Sequence, residues 1–165
     1  MVRGLKVTVD LNLAAVSCPG TILQTRGYVF LELQIFKSIL RSEFQPAIFP
    51  LLLHKKLSCS QVFPHIVDPG KLAGALNKQI IAIRLMQETG LGDQILAQYT
   101  CNAREFLFPT PQLTEAYPGV ERQVLLTRTS IYTGLLEPKV EFGYVIKGHI
   151  SYPLRVKFHT LGSYI

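Results

Sequence analysis

Tryptophan is absent from this chain of 165 residues, and methionine occurs only twice. The buried tryptophan that immunoglobulin domains pack between their two sheets is therefore missing. Charged residues are also few, at 17%, whereas 48% of the residues are hydrophobic, which excludes the composition of a disordered chain. Because a chain of this length most often forms one domain, we expect a single globular domain with an ordinary packed core.

Long hydrophobic runs are missing as well. No apolar stretch reaches the roughly 18 to 20 residues that a membrane-spanning helix needs, because Arg, Lys, Glu or His interrupts each run. The N-terminus lacks the basic segment and long apolar run of a secretory signal. These features predict an intracellular soluble protein.

Cysteine is scarce and scattered. Cys18, Cys59 and Cys101 are odd in number and form no Cys-x-x-Cys pair. This spacing disfavours both a disulfide framework and a zinc site. Buried free thiols are the expected state.

Most of the elements that the sequence pattern predicts are β-strands. Apolar and polar residues alternate over 7–13 and 29–36, which is typical of strands with one buried face. Further strands are predicted over 49–53 (or to 57), 80–86, 95–100, 123–129 and 140–146, and a short helical turn over 69–77. Pro and Gly turns separate these segments. The chain is therefore predicted to be all-β, an antiparallel β-sandwich of about seven to eight strands.

A second alternating segment follows the predicted domain of residues 1–147. Within residues 148–165, apolar residues again occupy every second position from Ile150 to Phe158, but Pro153 cannot donate to a strand ladder. We predict either an edge strand on the same sandwich or an extended C-terminal arm that docks on a neighbouring protein.

The acidic residues do not cluster as calcium ligands. Asp10, Asp68 and Asp93 lie on three separate segments, and no loop carries two of them. Calcium needs six to eight oxygen ligands, so we predict no metal site. Asp68 is expected instead to close a turn by accepting hydrogen bonds from nearby backbone N–H groups.

No catalytic constellation is visible either. The four histidines are scattered, and Gly90-Leu91-Gly92-Asp93 lacks the Lys and Ser/Thr of a phosphate loop, so it predicts a tight turn. Glu137 and Glu141 have no companions that complete an acid/base site. We predict no enzyme activity, no catalytic or cofactor-binding residues, no cofactor and no small-molecule substrate.

The formal net charge of +6 favours acidic partners, which include anionic lipid, nucleic acid and the surface of microtubules. The basic residues are not interleaved with aromatic residues, so nucleic-acid binding is not predicted. Solvated strand faces are the preferred interpretation of the basic residues after 121, and a docking patch is the alternative: Arg122, Arg128, Lys139, Lys147, Arg155 and Lys157.

Three short motifs carry a family resemblance. Cys18-Pro19-Gly20 follows the first strand, Val62-Phe63-Pro64 precedes Val67-Asp68-Pro69-Gly70, and Phe106-Leu107-Phe108-Pro109 comes later. Over roughly residues 5–146 the chain resembles the N-terminal domain of the spermatogenesis-associated protein 6 family. The order of its strands also resembles that of C2 domains, which makes a C2-like sandwich the prediction and an immunoglobulin-like one the alternative.

The family resemblance implies a place and a role. It implies a structural module of the cilium or flagellum that docks onto axonemal proteins of the central apparatus, a radial spoke or a doublet. A calcium-independent, membrane-binding C2-like module at basal bodies or transport vesicles is the alternative. We predict protein contacts at the edge after the third strand and in the tail, at Phe63, Pro64, His65, Tyr152, Leu154, Arg155, Val156, Lys157 and Phe158.

Overall fold

The computed structural model describes residues 4–23, 27–109 and 122–151. These residues form antiparallel strands and two short helices. In chain order the elements are β1 (Gly4–Ser17), β2 (Tyr28–Ile35), β3 (Ser38–Arg41), β4 (Gln45–Pro46), β5 (Leu51–Pro64), α1 (Pro69–Leu76), β6 (Ile80–Thr89), β7 (Gly92–Asn102), α2 (Ala103–Leu107), β8 (Arg122–Leu125), β9 (Thr127–Arg128) and β10 (Lys139–Ser151).

One sheet has four strands in the order β5-β1-β10-β8. β1 pairs along its length with both β5 and β10, and one bulge lies between Leu13 and Ala15. The alternation of apolar and polar residues in β1 determines which side of this sheet faces the core, because every second residue from Leu5 to Leu13 is at most 2% exposed. The residues between them form the outer face of this sheet.

The second sheet has the order β3-β2-β6-β7-β9, and β4 also pairs with β2. Leu31 and Leu33 on β2 lie opposite Leu85 and Ile83 on β6, and all four are buried. The inner faces of the two sheets enclose one hydrophobic core. The predicted all-β sandwich is confirmed.

The short helix α2 anchors one side of this core. It carries Phe106, whose ring stacks on that of Phe142 from β10 with centroids 5.5 Å apart. Asn102 caps the helix, because its side chain accepts a hydrogen bond from the Glu105 N–H at 2.8 Å. α2 thus ties the end of β7 to the four-stranded sheet.

Several predicted boundaries are wrong. The single strand predicted over 123–129 is divided, because β8 joins the four-stranded sheet and β9 joins the other, with buried Leu126 between them. β5 runs on to Pro64 rather than ending by residue 57, since β1 supplies a partner along its whole length. The short strands β3 and β4 were not predicted at all.

The predicted domain boundary after residue 147 falls inside β10. This strand continues to Ser151, which pairs with Gly4 at the far end of β1. Residues 148–151 therefore belong to the sandwich. The remainder of the predicted arm, 152–165, lies outside the described residues, and its role as edge strand or docking arm stays a prediction.

Candidate interaction surfaces

The predicted contact residues at the end of β5 separate into a buried one and two exposed ones. Phe63 is only 5% exposed and its ring meets that of Phe36 edge-on at 5.9 Å, so the expectation that it is accessible is wrong. The pairing of Phe63 with Leu5 explains this, because Leu5 faces the core. Pro64 and His65 are exposed, as expected.

The other predicted contact residues lie beyond β10. They fall outside the described ranges of the chain, so their protein contacts remain predictions: Tyr152, Leu154, Arg155, Val156, Lys157 and Phe158.

The acidic residues occupy the places that their local sequence indicates. Asp68 caps α1, and its Oδ1 accepts a hydrogen bond from the Gly70 N–H at 2.9 Å, which confirms the predicted turn-closing role. Asp93 follows the tight β6–β7 turn, where Gly92 adopts a φ of +120° that favours glycine. Across 4–23, 27–109 and 122–151, no group of three or more His, Cys, Asp or Glu is placed to hold a metal ion. No helix in those ranges has the length and apolarity to cross a membrane.

The outer face of the four-stranded sheet gathers polar and basic side chains from three strands. Residues directly opposite each other in a sheet point to the same side. The register therefore places these residues together on what we call the lysine face: Lys6, Thr8, Asp10 and Asn12 of β1; Lys56, Ser58, Ser60 and Val62 of β5; Gly143, Val145, Lys147 and His149 of β10.

Asp10 is the acidic residue of this face, and its charge is already compensated. Its carboxylate accepts a hydrogen bond from the Ser58 hydroxyl at 2.6 Å and an ion pair from Lys147 Nζ at 3.2 Å. The Ser58 hydrogen bond, and to a lesser extent Lys147, holds the pKa of Asp10 below its usual value. Lys6 and Lys56 are exposed, and neither has a carboxylate of the described residues within 4 Å.

A shallow groove of about 440 Å³ lies on the lysine face. It is lined in part by Asn12, Lys56, Ser58, Gly143 and Val145. Because Gly143 has no side chain, the surface between Asn12 and Val145 is lower there. The groove thus offers an ammonium, an amide and a hydroxyl group within one depression, beside the Asp10 carboxylate, which also lines it.

Sequence reasoning did not find this face. The sequence pattern favours a solvated strand face for Lys147, with a docking patch as the alternative, and it makes no prediction for Lys6 or Lys56. The alternation of β1 does indicate that Lys6, Thr8, Asp10 and Asn12 share one side. That β5 and β10 are its two neighbours could not be read from the pattern.

The other basic residues after 121 that the structure describes are not simply solvated. Arg122 lies over the Phe106 ring at 4.8 Å and donates a hydrogen bond to the Phe106 carbonyl oxygen. Arg128 forms an ion pair with Glu137 at 3.2 Å, and Lys139 forms one with Glu141 at 3.0 Å. The solvated-face interpretation is therefore wrong for Arg122, which packs on the core.

Loops at the end of the sandwich beyond Ser17 expose apolar side chains. Ile22 is 85% exposed, Leu135 is 89% exposed, and Leu91 in the β6–β7 turn is fully exposed. The loop that carries Ile22 and the loop that carries Leu135 are linked by a buried hydrogen bond, which the Tyr132 hydroxyl donates to Cys18 Sγ at 2.8 Å. Ile22 and Leu135 therefore project from two loops that are linked to each other.

The described thiols differ in accessibility. Cys18 and Cys59 are buried and Cys101 is half-buried, and all three are free, which confirms the free-thiol prediction and its burial at two of the positions. Burial raises the pKa of Cys59 to about 11, and the nearby Asp10 charge contributes. Burial also raises the pKa of Cys101.

We expect N-ethylmaleimide to modify Cys101 first in the folded protein at about pH 8. The reagent attacks a thiolate that it can reach, and Cys101 is less buried than Cys18 and Cys59. Cys59 should react only after unfolding in denaturant. Mass spectrometry of the labelled peptides measures the order, and a Cys101→Ser variant is the control. Rapid modification of Cys59 in the folded protein would contradict the burial described here.

Comparison with known proteins gives a consistent result. The family model for spermatogenesis-associated protein 6 matches residues 9–146. A rat spermatogenesis associated 6-like protein is 34% identical over 138 residues, which cover 84% of this chain and 34% of the rat protein. The human protein of that name is 33% identical over 84% of this chain and 31% of its own length. The chain thus spans about a third of these relatives.

Among solved structures, a C2 domain of plant extended synaptotagmin 1 is similar in shape. The superposition has a TM-score of 0.47 at 14% identity and covers 86% of this chain and 93% of that domain.

Proposed function

This chain belongs to the spermatogenesis-associated protein 6 family, and from this we propose that it is a non-enzymatic docking module of the cilium or flagellum. Its partners in this proposal are axonemal proteins of the central apparatus, a radial spoke or a doublet, and its location is the axoneme. Family membership over most of the chain is the observation that carries the proposal. It also supports a role in the assembly of the axoneme.

The described surface suits such a role. A sandwich held by two extensively paired sheets presents its outer faces as fixed surfaces, and rigid surfaces lose little conformational freedom on binding. The lysine face is one such surface, and the loop end with Ile22, Leu91 and Leu135 is another. Both are accessible to a large partner.

Extraction of the tagged protein from isolated cilia tests the proposed location. We expect the protein to remain with the axoneme after detergent and to resist salt of about 0.5 M, because a packed interface is screened much less than exposed charge pairs. A soluble ciliary matrix protein and a membrane protein serve as fraction markers. Release into the matrix fraction would contradict the proposal.

A calcium-independent peripheral membrane module is the second candidate. The exposed apolar side chains of Ile22, Leu91 and Leu135 favour it, because apolar residues at loop tips can enter the interface of a bilayer. In the same extraction, release by detergent alone would support this candidate against the axonemal one.

A further inference from the structure

We propose that the lysine face binds an extended acidic peptide segment of a partner protein. This inference rests on the proposed docking role and names the chemistry of the partner. The lysine face carries three lysines and a single aspartate. Because Asp10 is paired with Lys147, Lys6 and Lys56 remain available for an incoming carboxylate.

The spacing of the lysines suits an extended chain. Lys56 pairs with Asn12, which is six residues from Lys6 on β1. At roughly 3.4 Å per residue, the two lysines are about 20 Å apart along the strand direction. Lys147 is opposite Thr8 and so has an intermediate height along the strands, but it is on β10, across β1 from the strand that carries Lys56. An extended peptide presents side chains on one side about every 7 Å, so two acidic residues about six positions apart on one segment can reach Lys6 and Lys56.

The residues between the lysines provide hydrogen-bond donors. The exposed hydroxyl of Ser60 lies opposite Thr8, and Asn12 borders the groove at Gly143. Hydroxyl and amide donors can bind the backbone carbonyl oxygens of a peptide or the second oxygen of a carboxylate. The groove gives one side chain of the peptide a place to enter.

A peptide fits this face better than an anionic bilayer does. Anionic bilayers are typically bound by clusters of roughly four to eight basic residues, whereas the pairing of Asp10 with Lys147 leaves two lysines of the described lysine face available, Lys6 and Lys56. Val62, 44% exposed, is the large exposed apolar residue on the described lysine face, and the strongly exposed ones are elsewhere, as at the loop end. A narrow peptide can follow the lysines on either side of Asp10.

Fluorescence anisotropy with a labelled Glu-rich peptide of about twelve residues in about 50 mM salt tests the proposal, because low salt preserves exposed charge interactions. We expect the double variant Lys6→Gln/Lys56→Gln to bind the peptide about five-fold or more weakly, since each exposed charge pair contributes modestly. Lys71→Gln/Lys78→Gln, which removes the same charge from α1 and the residues after it, is the matched control and should bind as the parent does. Thermal melting verifies that all variants remain folded.

Asp10→Asn provides a test in the opposite direction. The amide oxygen can still accept the Ser58 hydrogen bond, whereas the negative charge is lost and Lys147 is released. We therefore expect Asp10→Asn to bind the acidic peptide about two-fold or more tightly. If Asp10 served only to stabilise the sheet, its replacement by Asn would not be expected to tighten peptide binding.

The outcomes separate this proposal from the proposed location. Equal weakening by both lysine pairs would mean non-specific attraction to net positive charge and would overturn the proposal. Binding to vesicles of phosphatidylcholine and phosphatidylserine without binding to the peptide would overturn it in favour of a lipid partner. If the peptide fails to bind while the protein still fractionates with the axoneme, the acidic-peptide inference alone fails.

Discussion

Replacement of Phe106 by Ala is expected to lower the free energy of unfolding by about 3 to 5 kcal/mol, the range observed for large aromatic residues removed from a core. Phe106 is fully buried and stacks on Phe142, and Arg122 covers its ring. The substitution leaves a cavity where α2 meets β10 and deprives the Arg122 guanidinium of the ring beneath it. Urea denaturation followed by circular dichroism measures the change.

Phe108→Ala is the matched control for this prediction. Phe108 lies two residues further along the same motif, but its side chain is 39% exposed. Its backbone N–H bonds to the Arg104 carbonyl oxygen, and this bond survives the substitution. We expect a loss of about 1 kcal/mol or less, as for most surface substitutions. Equal losses at Phe106 and Phe108 would contradict the packing described for α2.

Arg84→Ala is expected to destabilise the protein by about 2 to 3 kcal/mol. Arg84 lies on the outer face of the six-stranded sheet and donates to Glu32 at 3.2 Å and to Gln34 at 3.0 Å. The Glu32 side chain is only 12% exposed, so removal of Arg84 leaves a largely buried carboxylate with Arg41 alone. Breaking a fully buried pair costs roughly 3 to 5 kcal/mol, and the remaining Arg41 and the partial exposure of Arg84 reduce this figure.

Lys55→Ala is the control for an ion pair on the surface. Lys55 Nζ lies 3.6 Å from Glu43, and both side chains are well exposed. Exposed pairs contribute about 0 to 1 kcal/mol, so little change is expected. A double-mutant cycle of Glu32→Gln with Arg84→Ala isolates the coupling between the two groups. Coupling no larger than that of the Lys55–Glu43 pair would show that burial does not strengthen the Glu32–Arg84 interaction.

The functional proposals concern surfaces that these two substitutions leave in place. Phe106 and Arg84 stabilise the core and the six-stranded sheet, whereas the lysine face belongs to the four-stranded sheet. Lysine variants should therefore change binding without a large change in stability, and core variants the reverse. A variant that loses binding but keeps its stability can then be interpreted as a change in the lysine face itself.

Local sequence patterns are enough to predict the class of fold, and short motifs are enough to indicate the family. The alternation over 7–13 is sufficient to predict β1, because a strand with one buried face must repeat every two residues. The alternation over 29–36 also predicts β2, although Phe30 and Phe36 lie at its intervening positions and are buried as well. Asp68-Pro69-Gly70 likewise predicted a capped turn, since an aspartate oxygen and a following N–H need only local geometry.

Which strands lie side by side, and which surfaces they form together, depends on the tertiary structure. Phe63 and Val62 are both apolar, yet the pairing of β5 with β1 turns Phe63 into the core and Val62 outward. The division of 123–129 between two sheets, and the meeting of Lys6, Lys56 and Lys147, depend on contacts between segments far apart in the chain. Alternation fixes which residues share a face of one strand, but it carries no information about the strand that lies beside it.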